Sequence, residues 1–179
     1  LLASADHNIT GPDETPLCTI EPCAPSAHVP LFADGVDDHD GAGAPRGELA
    51  LEILENQRFF SGYLDRDVDF DAAGNLTVPL TFSAGGLQVV RVALTWDQCA
   101  DEFVSLPDAL LLDLDLVVTG PRPEVIKTNP SLVDNYELLH FVVTEPGEYR
   151  VEIQAQRWEP CPDESPAGRA HVAVAWSVK

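Results

Sequence analysis

Beyond residue 57 the apolar positions recur at every second residue, and the chain reads as a series of short strands. Val90, Val92 and Leu94 alternate with Arg91, Ala93 and Thr95, and Tyr149, Val151, Ile153 and Ala155 alternate with Arg150, Glu152 and Gln154. Successive side chains of a strand point to opposite faces, so each such run has one face made for a core. Runs of this kind are expected over 58–65, 75–83, 87–97, 111–119, 123–128, 136–145, 147–157 and 170–178. Gly, Pro, Asn and Asp separate them, and Pro146-Gly147 has the composition of a tight turn. Strand following strand with no intervening helix predicts a mostly-β fold, an eight-stranded antiparallel sandwich rather than a β/α alternation.

Before residue 57 the period is different. Leu49, Ala50, Ile53 and Leu54 follow Pro45 at helical spacing and predict one helix that ends near Asn56. Its apolar face needs a partner, either the sandwich or another chain. The opening Leu1 to Ala5 reads as the end of a second helix. Between the two helices, Gly11, Pro12, Pro16, Pro22, Pro25 and Pro30 keep residues 6–33 as loop. The pattern therefore divides the chain at 1–56 and 57–179. With no methionine among 179 residues, it is expected to be a piece of a longer protein.

Charge narrows the choice of partners. Thirty acidic residues against ten basic ones give a formal charge of -20, a surface that repels phosphate backbones and argues against nucleic acid. No apolar run approaches the ~20 residues that a membrane-spanning helix needs. Four cysteines, Cys18, Cys23, Cys99 and Cys161, lie in loop-like stretches without the paired spacing of a zinc site. Pairing 18–23 and 99–161 is the expected disulfide arrangement, and it implies a secreted or extracellular setting. Four reduced thiols are the alternative.

Four short motifs then occur in order: Leu94-Thr-Trp96-Asp97, Leu112-Asp-Leu-Asp-Leu116, Asp134-Asn-Tyr-Glu137 and Pro146-Gly-Glu-Tyr149. Together they resemble the C-terminal jelly-roll domain that follows the catalytic domain in many secreted subtilisin-like serine proteases. Leu112 departs from the usual Asn, and Gln98-Cys99 replaces a proline-rich continuation. The stretch from Asp40 to Gly43 and the helix after it resemble the close of the subtilase catalytic domain. The resemblance implies that residues 1–56 are a remnant of that α/β domain and that 57–179 form the accessory sandwich. It implies the catalytic domain of the same polypeptide as the main partner, with a protein substrate as a second.

The chemistry of such a protease is not visible here. Its Asp-[Ser/Thr]-Gly, His-Gly-Thr and Gly-Thr-Ser segments are absent from the sequence, so no catalytic residue is expected. Ser4 reads as structural, and His140, inside an apolar run, as a packing residue. The resemblance implies that Asp97, Asp113, Asp115, Asn135 and Glu137 meet at one end of the sandwich. Calcium, which takes six to eight oxygen ligands, would satisfy several of them; a hydrogen-bond network among strand ends would do so equally. Asp113 and Asp115 share one strand face and are expected to be exposed or to bind something. Asp65, Asp67, Asp69 and Asp71 read as an exposed acidic strand face. Asp37, Asp38 and Asp40 with Gly41 are only faintly similar to a calcium loop, since Val36 stands where the first acid belongs and no Glu closes it. Trp96, Trp158 and Trp176 read as packing residues. The alternative function is a free-standing carbohydrate- or surface-binding sandwich, which requires an exposed aromatic platform.

Overall fold

A computed structural model of the protein describes residues 5–6, 44–97, 111–122, 125–128, 135–159 and 168–179. Their elements are β1 (Ala5–Asp6), β2 (Ala44–Pro45), α1 (Gly47–Glu55), β3 (Phe59–Asp65), α2 (Arg66–Asp69), β4 (Leu80–Ala84) and β5 (Val89–Trp96), then β6 (Leu112–Thr119), β7 (Val125–Thr128), β8 (Tyr136–Val142), β9 (Gly147–Trp158) and β10 (Arg169–Val178). Strands β3-β10-β5-β8 form one antiparallel sheet and β4-β9-β6-β7 the other, while β1 and β2 pair separately. From β3 onward, consecutive strands lie in opposite sheets, except for β6 and β7, which pair with each other.

The period-2 pattern becomes the core. Val90, Val92 and Leu94 of the first sheet and Leu112, Leu114, Leu116 and Val118 of the second belong to one buried cluster between the sheets. Burial of each such side chain contributes about 1.5–3 kcal/mol relative to leaving it in water. Phe82 stacks on Tyr149 at 5.4 Å and on Trp176 at 6.1 Å, tying β4, β9 and β10 together.

The other face of the first sheet is also partly apolar, and α1 lies on it. Leu49 and Ile53 are buried, and Ile53 packs with Ala93 and Leu138. The helix predicted from the 3.6 spacing thus finds its partner on the sandwich, although Pro45 stands in β2 and the helix begins at Gly47. Leu54 remains 57% exposed. Ile53→Ala should therefore destabilise the fold by about 2 kcal/mol, whereas Leu54→Ala should stay within about 0.5 kcal/mol of the parent. Urea unfolding of the two variants measures the difference.

Three expectations are corrected. Ala5 is in a strand paired with Pro45, not at the end of a helix. The run 75–83 becomes a regular strand only from Leu80, after Pro79; Asn75 and Leu76 make isolated bridges to Gln154 and Phe70. The acidic run is not one strand face. Asp65 caps the short helix α2 by accepting from the Asp67 N–H at 3.0 Å, and Asp69 accepts from the Asp65 N–H at 2.7 Å. Asp71 accepts from Asn75 and from the Ala73 N–H, and these bonds, led by the Asn75 side chain, hold its carboxyl below the usual range. Alternating acids mimic a strand, but an Asp side chain that caps the backbone breaks the ladder.

The chain bends at Thr144 and Glu145, just ahead of the expected Pro146-Gly147, and Gly147 is the first residue of β9; the packing shows why glycine is there. Gly147 has φ +154°, and a Cβ on it would lie 2.6 Å from Cγ of Pro121. Two residues on, the hydroxyl of buried Tyr149 donates to the Glu145 carbonyl at 2.7 Å, closing the turn over the end of β8; burial raises the Tyr149 pKa.

Candidate functional site

The motif residues meet around Trp96. Its side chain enters the core from the last position of β5, and its Nε1–H donates to the carbonyl of Leu112 at 2.8 Å. One indole therefore links the end of the first sheet to the start of β6 in the second. Asn135 locks the same corner from the other side: its Nδ2 donates to the Trp96 carbonyl at 2.9 Å, and its own carbonyl accepts from the Trp96 N–H and the Thr95 hydroxyl, both at 3.2 Å. A buried hydrogen bond contributes about 1 kcal/mol net, but orphaning either partner costs more.

The five candidate ligands of a metal are spread over different environments. Asp97 is exposed at the end of β5. Glu137 is 1% exposed, and its register opposite Leu94 puts it on the inner face with Leu139 and Phe141. Asp113 and Asp115 alternate with Leu112, Leu114 and Leu116, which places both on the outer face of the second sheet. Among the described residues, no group of three or more His, Cys, Asp or Glu side chains stands close enough to hold a metal ion. Calcium with its six to eight oxygens does not fit these five residues as one shell; the pair Asp113 and Asp115 is what remains.

That pair is less exposed than its strand face suggested. Asp115 is 9% exposed and accepts from Nε2 of Gln156 at 2.6 Å, while Oδ1 of each aspartate has no hydrogen-bond partner among the described residues. Gln156 reaches Asp115 because a bulge opens between Asp113 and Leu114, leaving it unmatched in β9. Burial raises the pKa of both carboxyls; Asp113 is raised further by the charge of Asp115, against the pull of Arg157.

An aspartate raised above its ordinary 3.8 keeps its proton in the folded chain where the unfolded chain has released it. Each of the two therefore adds stability below pH 3.8, and that contribution is lost as pH rises through the folded pKa. Replacing both by Asn should raise stability at pH 7 and flatten the change between pH 7 and 4 relative to the parent. Thermal unfolding across that range checks both points. Thermal unfolding with calcium and with a chelator tests the pair as a cation site. A calcium-dependent rise lost in Asp113→Asn would put an ion on the pair.

The second feature, which no local pattern in the chain signals, is an apolar groove between α1 and the outer face of the first sheet. It encloses about 360 Å3 and is lined among others by Ile53, Leu54, Phe59, Ser61, Thr95 and Ala173. The small side chains Ala93, Ala173 and Ala175 leave room that α1 roofs on one side only. In sequence these look like ordinary strand residues, since nothing local shows that alanines from β5 and β10 share a floor. Ser61, His171 and Asp97 border the same face, 110 residues apart at the widest, between Ser61 and His171.

Trp96 and Trp176 are buried in the core, and Trp158 is half-buried, with its Nε1–H on the Gly168 carbonyl at 3.2 Å. They form no exposed platform, which was the requirement of the carbohydrate-binding alternative. Cys18, Cys23, Cys99 and Cys161, with Ser4, Asp37, Asp38 and Asp40, lie outside the described residues.

No family model matches the chain, and no curated protein matches it. Among solved structures, it is similar to the crystal structure of Aeromonas hydrophila PliG, a periplasmic lysozyme inhibitor of g-type lysozyme. The match covers 68% of this chain and 84% of that one, at 13% identity and a TM-score of 0.40. No helix among the described residues is long and apolar enough to cross a membrane.

Proposed function

We propose that the chain is the accessory β-sandwich carried behind the catalytic domain of a secreted subtilisin-like serine protease. In this reading it packs on that domain, stabilises it, and cleaves no peptide bond itself. The observation that carries the proposal is the corner around Trp96. Motif segments that resemble the subtilase domain, and that lie far apart in sequence, interlock there through Trp96, Leu112 and Asn135. The Pro-Gly-Glu-Tyr motif has a physical role as well, through the Pro121 contact of Gly147 and the hydroxyl of Tyr149. Strands that change sheet at each connection but one follow the jelly-roll path.

Two further features favour an extracellular accessory role. A charge of -20 keeps the surface soluble, and an even number of cysteines suits an oxidising compartment. The exposed apolar side chains Leu51, Leu54 and Phe59, beside the groove, offer a surface for the catalytic domain. Peptide mapping of the intact secreted polypeptide tests the reading. A catalytic domain with its Asp, His and Ser joined ahead of Leu1 is the expected result, and an unrelated domain in that position overturns it.

A further inference from the structure

Three side chains on the outer face of the first sheet stand in an order that no element of the motif corner requires. The hydroxyl of Ser61 lies 3.3 Å from Nε2 of His171, and Nδ1 of the same ring lies 3.7 Å from Oδ2 of Asp97. Pairing of the strands explains the meeting. Ser61 is opposite Ala173 and Tyr63 is opposite His171, so Ser61 and His171 are diagonal neighbours across β3 and β10. On the other side of β10, the Asp97 N–H donates to the His171 carbonyl at 3.1 Å, which brings the Asp97 side chain beside the ring. The Tyr63 ring packs edge-on against the imidazole at 5.2 Å and limits its rotation.

Hydroxyl on one ring nitrogen and carboxylate on the other is the order that activates a serine for acyl transfer. The surroundings supply two more requirements. Ser61 lines the apolar groove under α1, whose volume of about 360 Å3 takes a short acyl chain or an aromatic ring. Backbone donors are also at hand. The Trp176 N–H bonds to the Arg58 carbonyl, which fixes Phe60 and Gly62 as the residues that bond to β10. The N–H groups of Ser61 and Tyr63 therefore face the open edge of β3, which has no second strand partner among the described residues.

We propose that Ser61, His171 and Asp97 form a site that hydrolyses carboxylic esters of apolar acids, with the acyl group in the groove under α1. As the Ser61 oxygen bonds to the ester carbonyl carbon, Nε2 of His171 takes the hydroxyl proton and the carbonyl electron pair moves onto its oxygen. Collapse of that adduct breaks the bond to the alcohol, which leaves with the proton from Nε2. Water then attacks the acyl-serine by the same route, releasing the carboxylic acid and restoring Ser61. Asp97 acts through His171 as a positioning residue. This activity does not depend on the protease reading: of the motif residues it uses only Asp97, and none of the hydrogen bonds around Trp96.

The test is turnover of p-nitrophenyl butyrate by the full chain, with a fluorophosphonate probe and mass spectrometry locating any adduct. We expect an adduct on Ser61, and hydrolysis that falls to background in Ser61→Ala and by about 100-fold or more in His171→Gln. Asp97→Asn should lower kcat by about tenfold or more and alter the pH profile, with KM little changed. Ala173→Leu, which fills the groove, should raise KM for the butyrate ester more than for the acetate. Ser61, at the surface, tolerates Ala without loss of fold, which a melting curve confirms. Absence of turnover and of a Ser61 adduct, or equal rates in the parent and Ser61→Ala, overturns the proposal.

Discussion

Trp96→Ala is expected to be among the most damaging single substitutions in the sandwich. The side chain is 2% exposed within the main core, and its indole holds the Leu112 carbonyl at 2.8 Å across the two sheets. Truncation removes the packing and leaves a cavity, a combined cost of about 3–5 kcal/mol. The melting temperature should fall by roughly 10 °C or more. Trp96→Phe separates the contributions. It keeps most of the volume but loses the donor to Leu112, and should cost about 1–3 kcal/mol. Equal losses in the two variants would assign the whole effect to the hydrogen bond, and no loss in either would contradict the corner as described.

Gly147→Ala is the second. A methyl group there would stand 2.6 Å from Cγ and 3.0 Å from Cβ of Pro121, in a backbone conformation that L residues rarely adopt. Neither the ring nor the turn has an easy way to yield, because Gly147 opens β9 while Tyr149 is pinned to Glu145. The cost should be about 2–4 kcal/mol. Gly168→Ala is the matched control: its φ is +84°, yet nothing lies within 4 Å of the added methyl. It should cost only about 1 kcal/mol, the backbone share alone. Chemical unfolding of both variants isolates the Pro121 contact as the difference.

Much of the sandwich was legible because its strands bury one face. The alternation of Val90, Val92 and Leu94, or of Tyr149, Val151 and Ile153, states which side meets the core without reference to any partner. Helix α1 was legible for the same reason, at a different period. What failed were places where side chains serve the backbone. Asp65 and Asp69 cap a turn rather than line a strand, and an Asp-x-Asp spacing is the same for both uses. Burial of Asp115 was also out of reach, because the pattern gives a side chain's face but not what covers it.

The sites divide in the same way. Motif order singled out Trp96, Leu112, Asn135 and Tyr149, and the structure gives them shared or closing hydrogen bonds. Glu137 and the Asp113–Asp115 pair fall on different faces of different sheets, which spacing along one strand does not reveal. Ser61 and His171 carried no local signal at all. Only the pairing of β3 with β10 sets them side by side, and that pairing depends on the whole order of strands.

For the proposed accessory role, the most direct measurement is the half-life of proteolytic activity at elevated temperature, for the intact polypeptide and for the same polypeptide ending at Asn56. Loss of the sandwich should shorten the half-life about tenfold or more, a change of roughly 1.4 kcal/mol in the inactivation barrier. Trp96→Ala in the intact polypeptide should reproduce most of that loss. An unchanged half-life after removal of residues 57–179, or no proteolytic activity in the intact polypeptide, would contradict a stabilising role for the sandwich behind a protease.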